Sequence, residues 1–454
     1  MLTTECSQSS FEFEGVGPRS VVARFDGGKI TSDGGGLLLR EADRRIGLLR
    51  RLSKCFRDGR DPVRVHHSVE QMLSQRVYGL ALGYEDLNDH ERLREDPVMA
   101  VLAGSVDPDR PLAGKSTLNR MELAAEEAPT DRYKKIHYDA AAIDSLLVSL
   151  FLEAHREAPK QIILDLDATD LPVHGHQEQR FFHGFYNHYC YLPLYIVCGD
   201  HLLGVRLRPA NIDASAGSLE EVQRMVLQIR QAWPNVNIIL RADSGFCRDA
   251  LMDWCETHRV NYVFGFARNQ RLRRIIEPQM QQAASMLRQT ARPARVFTEF
   301  EYETNDSWSR PRRVVAKAEQ IEGKENPRYL VTSLSAADWP AQQVYEQLYC
   351  ARGDMENRIK EQYSLFAGRV SAATMRANQL RLYLSAAAYV LMSAFRRLAL
   401  TGTEWARAQC QTIRAQLLRI GAQVRITVRK VWISLASSYP HWQTFTHAFR
   451  QLRN

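Results

Sequence analysis

The sequence predicts an α/β protein with a helical N-terminal domain, a β-strand insertion and a basic C-terminal region, on three observations. Apolar residues recur at helical spacing from about residue 34 to 157. At Gln161 the period shortens to that of strands, and a helix lies among them, as an α/β sheet requires. Beyond Glu361 the acids almost vanish. Residues 362–454 hold 13 Lys/Arg against one acid, Glu404, a surplus of 12 in a chain whose formal net charge is +8.

Taken in order, residues 1–30 read as irregular, with glycines at 15, 17, 27 and 28. GGGLLLREADRRIGLLRRL, VHHSVEQMLSQRVYGLALGY and YDAAAIDSLLVSLFLEAHRE carry the helical period, and Pro62, Pro97, Pro108, Pro111 and Pro129 divide it. AGKST (113–117) invites comparison with a phosphate-cradling loop, but that pattern needs glycine at 109, where Asp109 stands. A helix start capped by Ser116 or Thr117 is expected instead. QIILDLD, PLYIVCG, HLLGVRLRP, VNIILRAD and NYVFGFA read as strands, with the helix SLEEVQRMVLQIRQAW before the fourth. RVFTEFEYE, RRVVAKAEQIEG and PRYLVTSL form a β-rich insertion. Helices return from Ala341 to about Leu400, and AQVRITVRKVWISLA ends the pattern as a strand pair. The expected organisation is a mainly helical region over 1–157, an α/β segment over 158–294, the insertion over 295–338, a helical segment over 339–400, and a basic region over 401–454.

Composition excludes several classes. The chain is 45% apolar and 25% charged, ordinary values for a globular protein. Its eight cysteines form no C-x-x-C pair, so neither a zinc site nor a disulfide framework is expected, and a reducing cytoplasm fits. MLTTECSQSSFEFEG has neither the basic start nor the apolar core of a signal peptide. The apolar run LYLSAAAYVLMSAF is too short to span a bilayer and reads as a buried helix, so no membrane partner is expected. The basic C-terminal surplus predicts a polyanionic partner. Nucleic acid is the default, because neutralising its phosphates releases counterions.

Three stretches carry chemistry. In ILDLDATD (163–170), Asp165 and Asp167 share one strand face. RAD (241–243) sets Arg241 and Asp243 at the end of another strand, with Gly245 easing the exit. Carboxylates on two strand ends are raw material for a hard cation such as Mg²⁺. In YCARGDMENRIKEQ (349–362), Tyr349, Arg352, Glu356 and Lys360 fall on one helical face; the plainer reading is a solvated helix with a Glu356–Lys360 pair. DLDAT also matches the nucleophile motif of haloacid-dehalogenase-type phosphatases, in which Asp165 would attack phosphorus. Histidines 174, 176, 183, 188 and 201 fit no zinc spacing and read as loop residues facing phosphate or water. Trp308, in NDSWSR, reads as a base-stacking residue or as an ordinary half-exposed tryptophan.

Together LDLDATDLPVHGHQE, FYNHYCYLPLYIVCG, RLRPANIDASAG, RADSGF, NYVFGFARN and YCARGDMENRIKE resemble the group-one DDE domain of bacterial insertion-sequence transposases, of the insertion-sequence family numbered thirteen-eighty. The helical stretch GYEDLNDHERLREDPVMAVLAG also resembles that family's N-terminal part. The resemblance covers nearly the whole chain. It implies an RNase H-like core whose catalytic and metal-binding triad is Asp167, Asp243 and Glu356, with Asp165 as an orienting neighbour. It further implies two Mg²⁺ ions replaceable by Mn²⁺, and a signature helix bearing Tyr349 and Arg352. The superfamily's lysine position falls on Tyr363, which leaves Lys360 as substitute. Tyr349, Arg352, Lys360, Arg241 and Trp308 are the expected DNA contacts. The implied partners are double-stranded transposon-end and target DNA and a second copy of the chain, at the bacterial nucleoid. The competing readings are a Mg²⁺-dependent phosphatase and a catalytically silent, domesticated DNA-binding protein.

Overall fold

The computed structural model describes residues 10–123 and 134–453. The expectations that involve Cys6, Pro129 and the first nine residues lie outside them. Two compact units are present, one of residues 138–386 and one of residues 1–137 with 387–454.

The 138–386 unit is built on a nine-stranded mixed sheet. Its strands are β1 (Gln161–Ala168), β2 (Leu194–Cys198), β3 (His201–Arg206), β4 (Asn237–Ala242), β5 (Asn261–Phe266), β6 (Ala294–Tyr302), β7 (Arg312–Ile321) and β8 (Arg328–Thr332), in the order β3-β2-β1-β4-β5-β8-β7-β6. A short strand, Lys324–Glu325, pairs with β7. The central pairs β1–β4 and β4–β5 are parallel and the rest antiparallel. All five core strands read from the sequence are present. The β-rich block joins the same sheet: β8 pairs with β5 and carries β7 and β6 outward. Their apolar faces continue the core rather than closing a separate one.

Both sheet faces are covered. Leu164, Leu166, Ile238, Leu240, Tyr262 and Phe264 pack on one side against α1 (Ala140–Glu153), α2 (Ser218–Ala232) and α3 (Asp249–Thr257). In α2 the buried Val222, Met225, Val226 and Ile229 recur at i, i+3, i+4 and i+7, which is why this segment forms a helix on that face. On the opposite side Ile239, Val263, Val315 and Leu330 meet Val344, Tyr345 and Leu348. Helix α4 (Gly353–Ser364) follows, and α5 (Met375–Ala399) contains the apolar run as a largely buried helix. No helix among the described residues is long and apolar enough to cross a membrane.

The other unit centres on the helix Val69–Leu82, buried at every position from Met72 to Leu82. Its polar members are matched internally. Arg76 Nε lies 2.7 Å from Glu122, and Arg76 Nη1 and Gln75 flank His90. The C-terminal region belongs here, with Arg414 donating to the carbonyls of Ala81 and Leu80. Part of the basic surplus is therefore taken up by backbone carbonyls. Residues 1–30, expected to be irregular, contain a hairpin of Phe11–Val16 with Arg19–Ala23, and Lys29–Thr31 joins the C-terminal pair Ala422–Ile426 and Val431–Leu435. The alternating FEFE is a strand signal that the glycines obscured. The expected cap is also corrected. Helix Lys115–Glu122 has no side-chain cap at its N-terminus, and the Lys115 N–H donates instead to Glu91 Oε1 at 2.8 Å.

Candidate active site

The carboxylates come from neighbouring strand ends. β1 and β4 run parallel in a register that sets Arg241 directly across from Asp165. Strand alternation places Asp165, Asp167 and Arg241 on the face of Ile163 and Ile239, beneath Val344, Tyr345 and Leu348. Asp243, the first residue past β4, accepts the Gly245 N–H at 2.8 Å.

Two arginines separate these acids, and they behave differently. Arg241 donates from Nε and Nη2 to both oxygens of Asp165, at 2.5 and 2.7 Å. Its Nη1 donates to the Leu348 carbonyl at 2.5 Å. Both side chains are buried. Arg241 was expected to touch DNA; it instead ties two central strands to the turn that precedes Tyr349. The same pair withholds Asp165 from the phosphatase role, since a buried carboxylate gripped on both oxygens is no nucleophile.

Arg352 Nη2 lies 3.0 Å from Asp167 Oδ1 and 3.7 Å from Asp243 Oδ2, while its Nε is buried without a hydrogen-bond partner among the described residues. Burial pushes the Asp167 carboxyl up to about 6; Arg352 opposes that rise, and Asp243 and Glu356 add to it. One cation therefore faces two carboxylates, and Glu356 lies within electrostatic reach of the same point.

The segment bearing Tyr349, Arg352, Glu356 and Lys360 is not one continuous α-helix. Val344–Tyr349 is a π turn and Cys350–Arg352 a 3₁₀ turn, before α4 begins at Gly353. The even spacing expected from the sequence thus fails across Tyr349 and Arg352; such changes of pitch concentrate at functional sites. Glu356 and Lys360 are exposed and form no ion pair with each other. Tyr363, at the superfamily's lysine position, donates its hydroxyl to the Asp170 carbonyl at 2.7 Å and fastens α4 to the loop after β1.

Tyr349 sits against Gly265. A β-carbon there would lie 2.7 Å from the Tyr349 hydroxyl and 2.9 Å from the Ser244 nitrogen, so only glycine admits this approach. Beside them opens a cavity of about 300 Å³ lined by Ser244, Phe266, Arg268, Arg328, Tyr329 and Tyr349. Arg268 and Arg328 were missed in the sequence, although Arg268 is the next-to-last residue of the quoted NYVFGFARN, two positions past the end of β5. Tyr186 was missed too; burial, then Asp170, Asp167 and Asp243 raise its hydroxyl, which places it near the acids.

Other expected residues lie elsewhere. Trp308 packs half-buried against Phe266 and Tyr302, with the Arg312 guanidinium 5.5 Å from its ring, which matches the plainer of its two readings. The loop histidines disperse: His188 Nε2 lies 2.8 Å from Asp170, His176 meets Arg180, and His201 packs on Phe151. Among the described residues no three His, Cys, Asp or Glu side chains converge as a metal site. The Asp167–Asp243 pair nonetheless fits a divalent cation. Its oxygens are hard donors, and they already face a single positive group, Arg352.

The family described as "Transposase DDE domain group 1" matches residues 13–454. No curated protein sequence matches the chain. Among solved structures, the chain is similar to one titled "Cryo-EM structure of piggyBac transposase synaptic complex with hairpin DNA (SNHP)", at 11% identity and a TM-score of 0.42, over 86% of this chain and 80% of that one.

Proposed function

The chain belongs to the transposase DDE domain group 1 family and is a DDE-type transposase, and from that premise we propose that it mobilises a bacterial insertion sequence by cutting and pasting DNA. It binds the terminal inverted repeats as a homodimer, nicks the strand to leave a 3′-hydroxyl, and directs that hydroxyl into target DNA. The observation that carries the reading is the single arginine shared by Asp167 and Asp243 at adjacent strand ends, on the segment that leads to Glu356. The order β3-β2-β1-β4-β5, three antiparallel strands followed by two parallel ones, supports an RNase H-like core.

Asp167, Asp243 and Glu356 would hold divalent ions, Mg²⁺ or Mn²⁺, and two such ions when bound activate the attacking oxygen and stabilise the leaving 3′-oxygen. Asp167 must be ionised for this. Arg352 keeps the two carboxylates from repelling each other and, once displaced from them, is placed to contact the DNA backbone. Tyr349, Arg268 and Arg328 line the adjoining cavity, where they position the backbone beside the strand ends. Lys360, exposed on α4, supplies a further backbone contact. Asp165 orients, through Arg241 and the Leu348 carbonyl, the turn from which Tyr349 and Arg352 project.

The test uses a labelled duplex carrying the DNA that flanks the coding region. Mg²⁺-dependent nicking at matched inverted repeats, followed by joining to a plasmid, is expected. Hydrolysis of a small phosphomonoester with no DNA cleavage would overturn the proposal.

A further inference from the structure

The stretch RLRPANIDASAG (206–217) supplies none of the site residues, yet it is built around a buried arginine. It leaves β3 and runs as a loop to α2. Arg208, 5% exposed, donates from Nε to the Leu192 carbonyl at 2.9 Å. Its Nη1 donates to the carbonyls of Ala214 and Ala216, at 3.0 and 2.5 Å. The Leu192 N–H donates in return to the Arg208 carbonyl at 2.9 Å. Among the described residues, Arg208 Nη2 is buried with no hydrogen-bond partner. Burial pushes the guanidinium down to about 10, with the charge of Asp213 opposing. A charge placed in this way is a burden on folding. What it supplies is geometry, because a planar fork holds three carbonyls at fixed directions.

The two arms of the fork end at the two carboxylates' own supports. Leu192 stands just ahead of β2, which pairs with β1 so that Leu194 faces Ala168 and Tyr195 faces Asp167. Ala168 also packs against the small cluster of Cys190, Leu192 and Ala210, the last of them from the loop. The other arm holds Ala214, which stands against the turn after Asp243. A β-carbon on Gly245 would lie 3.2 Å from the Ala214 β-carbon, and Gly245 is the residue whose N–H meets Asp243 at 2.8 Å. Asp213 secures the same turn further on. Its Oδ2 lies 2.6 Å from Arg248 Nη2, just past the 3₁₀ turn Ser244–Phe246, while its Oδ1 accepts the Ser215 N–H at 2.9 Å and the Ser215 hydroxyl at 2.6 Å. Arg208 therefore braces the end of β1 against the exit of β4.

We infer that Arg208 is a positioning residue that sets the separation of Asp167 from Asp243, and through it the grip on a divalent cation, with Asp213 passing the constraint to the Asp243 turn by way of Arg248. The inference rests on the reading of those two carboxylates as metal ligands. It adds that a loop supplying no ligand decides how tightly the cation is held, as the groups behind a ligand do in metal sites generally.

The test titrates Mn²⁺ alone into the full chain by calorimetry, without DNA. Asp213→Asn and Arg208→Lys should each weaken Mn²⁺ binding about 10-fold, and Arg208→Met, which leaves no donor, should weaken it further. In a nicking assay Asp213→Asn and Arg208→Lys should need about 10-fold more Mn²⁺ for half-maximal rate, while the rate at saturating Mn²⁺ stays within about 3-fold of the parent. A loss of folded protein would lower the plateau instead. Asp213→Asn keeps an acceptor for the Ser215 N–H and breaks a half-exposed pair, so it should melt close to the parent and carries the test where the Arg208 variants fail to fold. Arg310→Gln breaks a pair of like exposure with Asp253 and should leave Mn²⁺ binding unchanged. Parent-like Mn²⁺ affinity in Asp213→Asn and in folded Arg208→Lys would overturn the inference, and so would an equal loss in Arg310→Gln. Asp243→Asn tells the two readings apart. If it leaves Mn²⁺ affinity untouched, the metal role of Asp243 fails and takes this inference with it; if it removes Mn²⁺ binding while the loop variants bind like the parent, this inference fails alone.

Discussion

Asp165 and Asp167 stand two residues apart on one strand face, each beside an arginine, yet they are differently equipped. Asp165 has both oxygens gripped by Arg241, whose third donor ends on a backbone carbonyl. Asp167 accepts the Ala168 N–H at 3.0 Å and lies 3.0 Å from an arginine it shares with Asp243, and that arginine's Nε is buried with no hydrogen-bond partner among the described residues. The first pair is closed and structural. The second is a single arginine facing two carboxylates at adjacent strand ends. Burial alone would not distinguish them, since both carboxylates are buried and both are raised by it.

The largest expected effect breaks the open pair. Asp167→Asn, Asp243→Asn and Glu356→Gln should each abolish Mg²⁺-dependent nicking in a gel assay while duplex affinity persists, and Asp165→Asn should retain more activity than Asp167→Asn. Strand transfer at wild-type rate by any of the first three would remove that residue from the chemistry. Next comes the closed pair. Arg241→Ala should cost about 3–5 kcal/mol in urea denaturation by leaving Asp165 buried and unpaired, and Asp165→Leu with Arg241→Met should recover most of it.

A third prediction sharpens the contrast through pH. The folded state raises Asp167 from 3.8 to about 6, so ionising it opposes folding; its contribution is most favourable below the unfolded value and is lost as pH rises through the folded one. Without divalent ions, Asp167→Asn should therefore melt like the parent near pH 4 and, above pH 6, be more stable by roughly 1–3 kcal/mol. A variant no more stable at pH 8 would show that Asp167 carries no such penalty. The smallest effect is Tyr363→Phe. Loss of the hydrogen bond to Asp170 should lower stability by about 1 kcal/mol, read in the same denaturation, with only a modest fall in nicking.

Much of this was legible in the residues. The strands β1 to β5 announce themselves by short apolar runs, and LDLD and RAD set acids at their ends because side chains alternate. The family followed from several ordered motifs rather than from any one of them. Arg241 was misread because, in sequence, an arginine beside an acid at a strand end looks the same whether it faces solvent or a neighbouring strand. The strand order, which no local pattern encodes, brings it opposite Asp165. Arg268, just past the end of β5, and Arg328, at the start of β8, lie 60 positions apart, and their shared cavity exists only once β8 joins β5.

What the sequence determined by itself is local. Period and turn chemistry set which segments are strands or helices, and which acids can share a face. Tertiary structure alone decided the charge pairing: which arginine closes on which carboxylate, where the backbone departs from α-helical pitch before Arg352, and that the C-terminal residues share a unit with the N-terminal helices. The physical reason is that pairing energy depends on distance and desolvation between residues remote in the chain, and register sets both.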